Sequence, residues 1–295
     1  MRHAKTEEIF ISKGIECAAW LYSPADAANP PVILMAHGFS AERSFGLPAF
    51  AERFVDEGWA VFVFDYRTFG DSKGVPRNFV NPDMHNEDWD AAIAHVKTLN
   101  NIDTDRMILW GTSFSGGHVV CTAARHPEIS AIIAQVPFCG PVADAEKPPF
   151  TTVIKVIYHL LMDKIKNALT GKRHYVPVVG KPGSFAIMNT PECWHGFLKL
   201  VPEDRFYANE TPAAIYGLIQ NYNPSALADR VLCPALVIAG EHDSLIPVAK
   251  VREMAGRIPK STFRSLNTNH FEPYTGQAFE DNIRLQIDFL KEVLR

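Results

Sequence analysis

Short, almost wholly apolar runs alternate along the chain with stretches in which apolar residues recur every three to four positions. The runs at 32–36, 59–64, 106–110, 129–136 and 235–239 read as strands buried on both faces. A shorter run at 261–266 reads as one more strand. Stretches 7–12 and 15–22 alternate with period two and meet at Lys13-Gly14, which predicts an antiparallel hairpin. Helical spacing predicts helices over 47–57 (stopped by Gly58), 87–99, 114–125, 248–257 and 277–294. Trp89, Ala92, Ile93 and Val96 share one side of the second of these, and Phe279, Ile283, Ile287, Leu290 and Leu294 the inner side of the last. Strands alternating with helices imply an α/β fold, a mostly parallel twisted sheet of about eight strands with helices on both faces. In such a sheet functional loops gather at the C-terminal ends of the strands.

The alternation breaks at 138–223, a stretch punctuated by proline and glycine with scattered aromatics. Its clearest element is a helix over 152–169, where Val153, Ile154, Ile157, Leu161 and Ile165 fall on one face. The stretch reads as an inserted, mainly helical cap between core segments 1–137 and 224–295. Its aromatics (Phe150, Tyr158, Tyr175, Phe185, Trp194, Phe197, Phe206, Tyr207) are expected to form mostly the cap's own small core, with some lining a pocket.

Composition narrows the function. The 295 residues are 47% hydrophobic, enough for one large core with an inserted subdomain. A net charge of -4 with interspersed signs gives no footprint for nucleic acid and no basic cluster for anionic lipid. The first ten residues are charged and alternating rather than a signal peptide, and no apolar run is long enough to span a bilayer. Cys17, Cys121, Cys139, Cys193 and Cys233 are scattered without a C-x-x-C, as expected of buried thiols in a reducing cytoplasm. There is no closely spaced Cys/His set, no G-x-G-x-x-G after a strand and no phosphate-binding lysine loop, so neither metal nor nucleotide cofactor is expected. Association into a homo-oligomer stays open.

The chemistry centres on Gly111-Thr112-Ser113-Phe114-Ser115-Gly116-Gly117. An apolar strand ends at Gly111 and helical spacing begins after Ser113. At so tight a corner the serine backbone is strained and its hydroxyl projects into the open, with the first helix amides beside it. The usual G-x-S-x-G has a glycine where Ser115 stands. A serine hydroxyl needs a base, imidazole suits that task near neutral pH, and a carboxylate fixes the ring's tautomer. Ser113, Asp243 and His270 follow three different buried strands, in that order. His242 and Glu241 are rivals on the same loop as Asp243, whereas Asp229 precedes its strand and lies at the wrong end of the sheet. His37 and His118 are read as structural, tying loop backbone.

This chain order and placement resemble the α/β-hydrolase superfamily over most of the chain outside the cap. His37-Gly38-Phe39 and the serine motif look like the bacterial branch near dienelactone hydrolases, acylaminoacyl- and X-prolyl-type peptidases, and fungal polyketide acyl-transferring relatives. The resemblance implies an oxyanion hole from the backbone amides of Phe39 and Phe114. Asp65-Tyr66-Arg67 with Gly70-Asp71-Ser72 resembles the D-x-R-G-x-G-x-S loop, with Thr68 in place of a glycine; Asp65 and Arg67 are read as loop ties and Tyr66 as structural. The expected activity is a serine hydrolase cleaving a carboxylic ester or thioester through an acyl-serine at Ser113, with Asp243 and His270 completing the triad. An acyltransferase using the same acyl-enzyme, a peptidase, a haloperoxidase-like side activity and a non-catalytic binding protein are the alternatives.

Overall fold

Lys13 and Gly14 both take positive φ (49° and 78°), which closes β1 (His3–Ser12) onto β2 (Ile15–Pro24) as a two-residue hairpin. The computed structural model describes residues 3–141 and 149–295. After the hairpin come β3 (Pro31–Ala36), α1 (Leu47–Asp56), β4 (Ala60–Phe64), α2 (Pro82–Val96), β5 (Asp103–Thr112), α3 (Phe114–Ala123) and β6 (Ala131–Gln135). The stretch before the next sheet strand carries α4 (Phe150–Thr170), β7 (Tyr175–Val176), α5 (Cys193–Leu198), β8 (Thr211–Pro212) and α6 (Ile215–Leu218). The chain closes with β9 (Ala235–Gly240), α7 (Val248–Arg257), β10 (Ser261–Leu266) and α8 (Gly276–Val293).

One sheet of eight strands runs β1-β2-β4-β3-β5-β6-β9-β10. The pairs β1·β2 and β2·β4 are antiparallel, and every other pair is parallel. β3, β4, β6 and β9 are buried at every position, as continuous apolar runs covered on both faces require. From β3 the chain first goes to β4 on one side and later returns to β5 on the other. The loops after β3 and β5 therefore diverge and leave a crevice at the carboxyl end of the sheet.

Each face has its own apolar layer. On one, α1 and α8 bring Phe50, Phe54, Ile283 and Leu290 against Ile33, Met35, Ile108 and Ile133. On the other, α2, α3 and α7 bring Trp89, Val119 and Met254 against Leu34, Phe62, Leu109 and Val237.

Two expectations need correction. The second helix starts at Pro82 rather than 87: Asn81 caps it by accepting the amides of Asp83 and Met84, and Pro82 takes the first turn. The helix expected over 152–169 forms as α4, and its shared apolar face points to solvent, so the aromatics and aliphatics there do not build the expected small core. Val153, Ile154, Ile157, Leu161 and Ile165 are all exposed, and the one buried residue of α4 is Asp163, held by Arg173. Phe150, Tyr158 and Phe206 are likewise exposed rather than part of a cap core. The expected 138–223 segment also includes 142–148, which lie outside the described residues.

A buried polar chain joins β5, β6 and α8 beneath the crevice. Gln135 Oε1 accepts from Asn282 Nδ2 (2.6 Å) and Gln286 Nε2 (2.9 Å), and Gln135 Nε2 donates to Thr112 Oγ1 (3.1 Å). Trp110 Nε1 donates to Gln286 Oε1 (2.7 Å), and the Thr112 and Tyr274 hydroxyls are hydrogen-bonded. Gln135 is the shared partner, so Gln135→Leu leaves amide groups stranded without water. We expect a loss of roughly 2–4 kcal/mol in urea denaturation; a change below about 1 kcal/mol would show the chain to be dispensable.

Candidate active site

Ser113 sits between β5 and α3 with φ 55° and ψ -120°, a region few non-glycine residues enter. Its neighbours hold it there: Ser113 N–H donates to Gln135 O (2.9 Å), and Ser113 O accepts from Phe138 N–H (2.8 Å). A Cβ at Gly111 would lie 2.2 Å from Ser115 O, so only glycine lets the helix begin this close to the strand end. A Cβ at Gly38 would lie 3.0 Å from Ser113 Cβ, which places the loop after β3 directly against the serine.

The other two predicted residues converge on it. Ser113 Oγ is 2.9 Å from His270 Nε2, and His270 Nδ1 is 2.6 Å from Asp243 Oδ2. Asp243 Oδ1 accepts the amides of Leu245 and Ile246, each at 2.8 Å, so both carboxylate oxygens are engaged. With Nδ1–H donating to Asp243, Nε2 is left as an acceptor for the serine hydroxyl. The serine is half-buried while His270 and Asp243 are buried. This arrangement can deprotonate the hydroxyl as it attacks and keep the resulting imidazolium beside a fixed carboxylate.

The rivals fall elsewhere. His242 is exposed and pairs with Asn267 Oδ1 (2.7 Å), and Glu241 accepts from Ser265 Oγ. Asp229 is exposed ahead of β9. Burial raises the thiols of Cys17 and Cys139 to about 12, which keeps them protonated near neutral pH. Asp65 accepts Arg43 N–H (2.6 Å) and Arg43 Nη1 (2.8 Å), and Arg67 pairs with Glu87. His37 Nδ1 lies 3.0 Å from Gly38 O.

Phe114 opens α3, where the first amides have no carbonyl within the helix. The rings of Phe39 and Phe114 meet edge-on with centroids 5.3 Å apart, so the loop after β3 and the start of α3 flank Ser113 together.

Behind the elbow is a cluster that the sequence reading did not assemble. Ser115 Oγ bonds Tyr66 OH (2.7 Å), which also accepts from Trp89 Nε1 (3.0 Å); this gives the serine in the glycine position a partner. Tyr66 is wholly buried and stacks on His85, whose Nδ1 lies 3.2 Å from His118 Nε2. His118 Nδ1 is in turn 2.6 Å from Tyr222 OH, so His118 ties side chains rather than loop backbone.

Two chambers open on Ser113 and His270. One, of about 170 Å³, is walled by Phe39, Phe114, Phe138, Ile187, Leu245 and Ile246. The other, of about 30 Å³, is bordered by Thr112, Tyr274, Phe45 and Phe197. Met188 borders both. Of the aromatics singled out between 150 and 207, Phe197 alone reaches either wall. Ile187 and Met188 gave no sequence signal because they follow no period.

A mostly parallel sheet with a serine corner after β5, a carboxylate after β9 and a histidine after β10 has the architecture of an α/β hydrolase. The sequence model described as "Serine aminopeptidase, S33" matches residues 28–269, and the chain belongs to this family of α/β hydrolases. It is similar to the quorum-quenching protein AidA of Acinetobacter baumannii (39% identity, covering 97% of this chain and 94% of that protein). It is also similar to the thiohydrolase aneE of Aspergillus aculeatus (25% identity, covering 90% and 87%). Among solved structures, the α/β hydrolase GrgF from a Penicillium species superposes with a TM-score of 0.82 at 20% identity, covering 99% of each chain. The protein is thus an enzyme of the α/β-hydrolase class. No helix among the described residues is long and apolar enough to cross a membrane.

The buried imidazoles make stability depend on pH. Burial lowers His37 to about 4 and His118 to about 3, and holds His85 well below its usual value. Unfolding frees these rings to bind protons below about pH 6.5, so each contributes a loss of stability as pH falls from there toward its folded value. His118→Gln removes one such proton uptake. Its unfolding free energy is expected to fall less steeply than the parent's between pH 6 and 4, by about 1.4 kcal/mol per pH unit. Parallel slopes in urea melts across that range would show that His118 is not held neutral.

Proposed function

We propose that the enzyme hydrolyses an ester or thioester of a small uncharged acyl group through an acyl-serine at Ser113. His270 takes the hydroxyl proton as Oγ attacks the carbonyl and returns it to the leaving alcohol or thiol. Asp243 fixes the ring tautomer and stabilises the imidazolium. The backbone amides of Phe39 and Phe114 receive the oxyanion, a contribution of about 3 kcal/mol for each well-placed donor. A water activated by His270 then attacks the acyl carbon and releases the acid.

The observation that carries this reading is the unbroken line from Asp243 to His270 to Ser113, at 2.6 and 2.9 Å, with an apolar chamber opening on the serine. That chamber is close in size to the roughly 150 Å³ apolar cavity known to hold a benzene ring, which suits an acyl group of about six carbons or one aromatic ring. The smaller chamber has about the volume of one water, which favours water over a bulky alcohol or amine as acceptor and so hydrolysis over acyl transfer. Among the described residues no carboxylate borders either chamber, which speaks against recognition of a free α-amine and so against an aminopeptidase. We read residues 138–223 as the cap that excludes bulk water, and the unpaired cysteines as suited to the cytoplasm.

Ser113→Ala is expected to abolish both turnover and labelling by a fluorophosphonate while leaving the thermal melt intact. Labelling retained at any other residue would remove the assignment. Across p-nitrophenyl esters, kcat/KM is expected to rise with each added methylene, by about fourfold at most, and to stop rising near six carbons. An optimum at acetate, or a continuous rise to dodecanoate, would show that the chamber does not hold the acyl chain.

A further inference from the structure

We infer that the exposed face of α4 is the contact surface between two copies of this chain. The inference is independent of the chemistry at Ser113. α4 spans Phe150–Thr170, about 31 Å of helix. Phe150, Ile154, Ile157, Leu161, Ile165 and Leu169 follow one another at steps of three or four, so they form one stripe along its whole length. Every one of them is at least half exposed, up to 79% at Leu169. With Val153 and Tyr158 alongside, and taking about 200 Å² for an open aromatic side chain and about 120 Å² for an open aliphatic one, the exposed part comes to roughly 650 Å². The largest apolar patch of an ordinary monomer is about 300–600 Å². One side of a stable interface is about 800 Å².

The stripe's own chemistry selects the occupant. A surface that meets itself across a two-fold axis needs only self-complementarity, and a straight apolar ridge spaced like a helix-packing seam has it. The segment 142–148, which precedes the helix in sequence, reads VADAEKP and has too few apolar side chains to cover a 31 Å ridge. Anionic lipid would attract Lys155, Lys164 and Lys166 of α4, but the chain as a whole carries -4. The opposite face of α4 is anchored: Asp163 accepts from Arg173 Nε (2.9 Å) and from His174 N–H (2.8 Å). Thus α4 is fixed on the molecule with its apolar side outward. The start of α4 lies near the substrate side of the enzyme. Ile187 walls the acyl-sized chamber and also borders the cavity formed by Pro149, Thr152 and Lys155 at the start of α4.

Sedimentation velocity of the full chain at micromolar concentration is expected to give twice the 32.9 kDa monomer mass. The doubly substituted Ile157→Glu, Leu161→Glu variant is expected to sediment as a monomer. Its dimer dissociation constant should rise at least roughly a hundredfold, because two central anchors are lost together. Both positions are solvent-exposed in the single chain, so its circular dichroism and fluorophosphonate labelling rate should match the parent. A separate Leu161→Cys variant, at the middle of the stripe, should form a disulfide-linked dimer on mild oxidation. A parent that stays monomeric would overturn the inference, and so would a double variant that still dimerises. A monomeric parent that instead co-sediments with phosphatidylglycerol vesicles would overturn it in favour of a lipid surface.

Discussion

Ser113 occupies a backbone conformation that costs on the order of 1–3 kcal/mol, and the site exists because its surroundings leave it no other. Two backbone hydrogen bonds, from Phe138 and to Gln135, clamp the serine from β6 and the residues just after it. Gly111 admits the first turn of α3 at a distance where a methyl group would collide with Ser115 O. Gln135 then carries the constraint outward: its backbone carbonyl holds Ser113, while its side chain joins Thr112, Asn282 and Gln286. The strained corner is thus tied through buried polar groups to the closing helix, more than a hundred residues away in sequence.

The loops that carry Asp243 and His270 are held by contacts from the stretch between β6 and β9. Glu192 accepts Ser244 N–H (3.0 Å) and Ser244 Oγ, which pins the residue after Asp243. A Cβ at Gly196 would lie 2.5 Å from the ring of Phe271, so α5 presses directly on the residue after His270. At the far rim, Arg205 pairs with Asp71, which Arg43 joins to the buried Asp65. Exposed pairs of this kind are worth little singly. Here Arg43 and Asp65 are buried, and Arg43 N–H also bonds Asp65, so the loop after β3 is held by a paired charge that would be costly to break. The stretch between β6 and β9 therefore supplies part of the wall of each chamber and braces the loops that carry Asp243 and His270.

How much of this was legible in the sequence follows from which interactions are periodic or local. Strands such as 235–239 and helices such as 248–257 announced themselves because burial on both faces, or on one stripe, leaves a repeat in the sequence. Ser113, Asp243 and His270 were legible because position at a strand end is a topological property, and in this fold topology brings strand ends together. The direction of α4 was not legible. An amphipathic period says that a helix has an apolar side, but it does not say whether that side meets the molecule's own core or something outside it. Asp163, a lone acid on the other face, was the sign that the polar side had been used for anchoring. The chamber walls escaped for a different reason: Ile187, Met188 and Leu245 lie in loops, where no repeat marks them.

The buried cluster behind Ser113 bears on why one imidazole among eleven suits the role proposed for it. His37, His85 and His118 are closer in sequence or in space to the elbow helix than most, yet each is enclosed by aromatic rings and kept neutral by burial. A ring whose proton affinity burial has lowered this far below its usual value is poorly suited to accept a proton in a reaction near pH 7 and give it back. His270 differs in one respect that geometry alone supplies: a carboxylate lies 2.6 Å from one nitrogen and a hydroxyl 2.9 Å from the other. At Nδ1 the enclosed rings meet neutral partners instead, Gly38 O for His37, the His118 ring for His85 and Tyr222 OH for His118, and Asp65 Oδ1 stays 3.8 Å from His37 Nε2. Packing the other three tightly behind Ser113 serves the opposite end, for rigid neutral rings fill the space under a strained corner and stop it from relaxing.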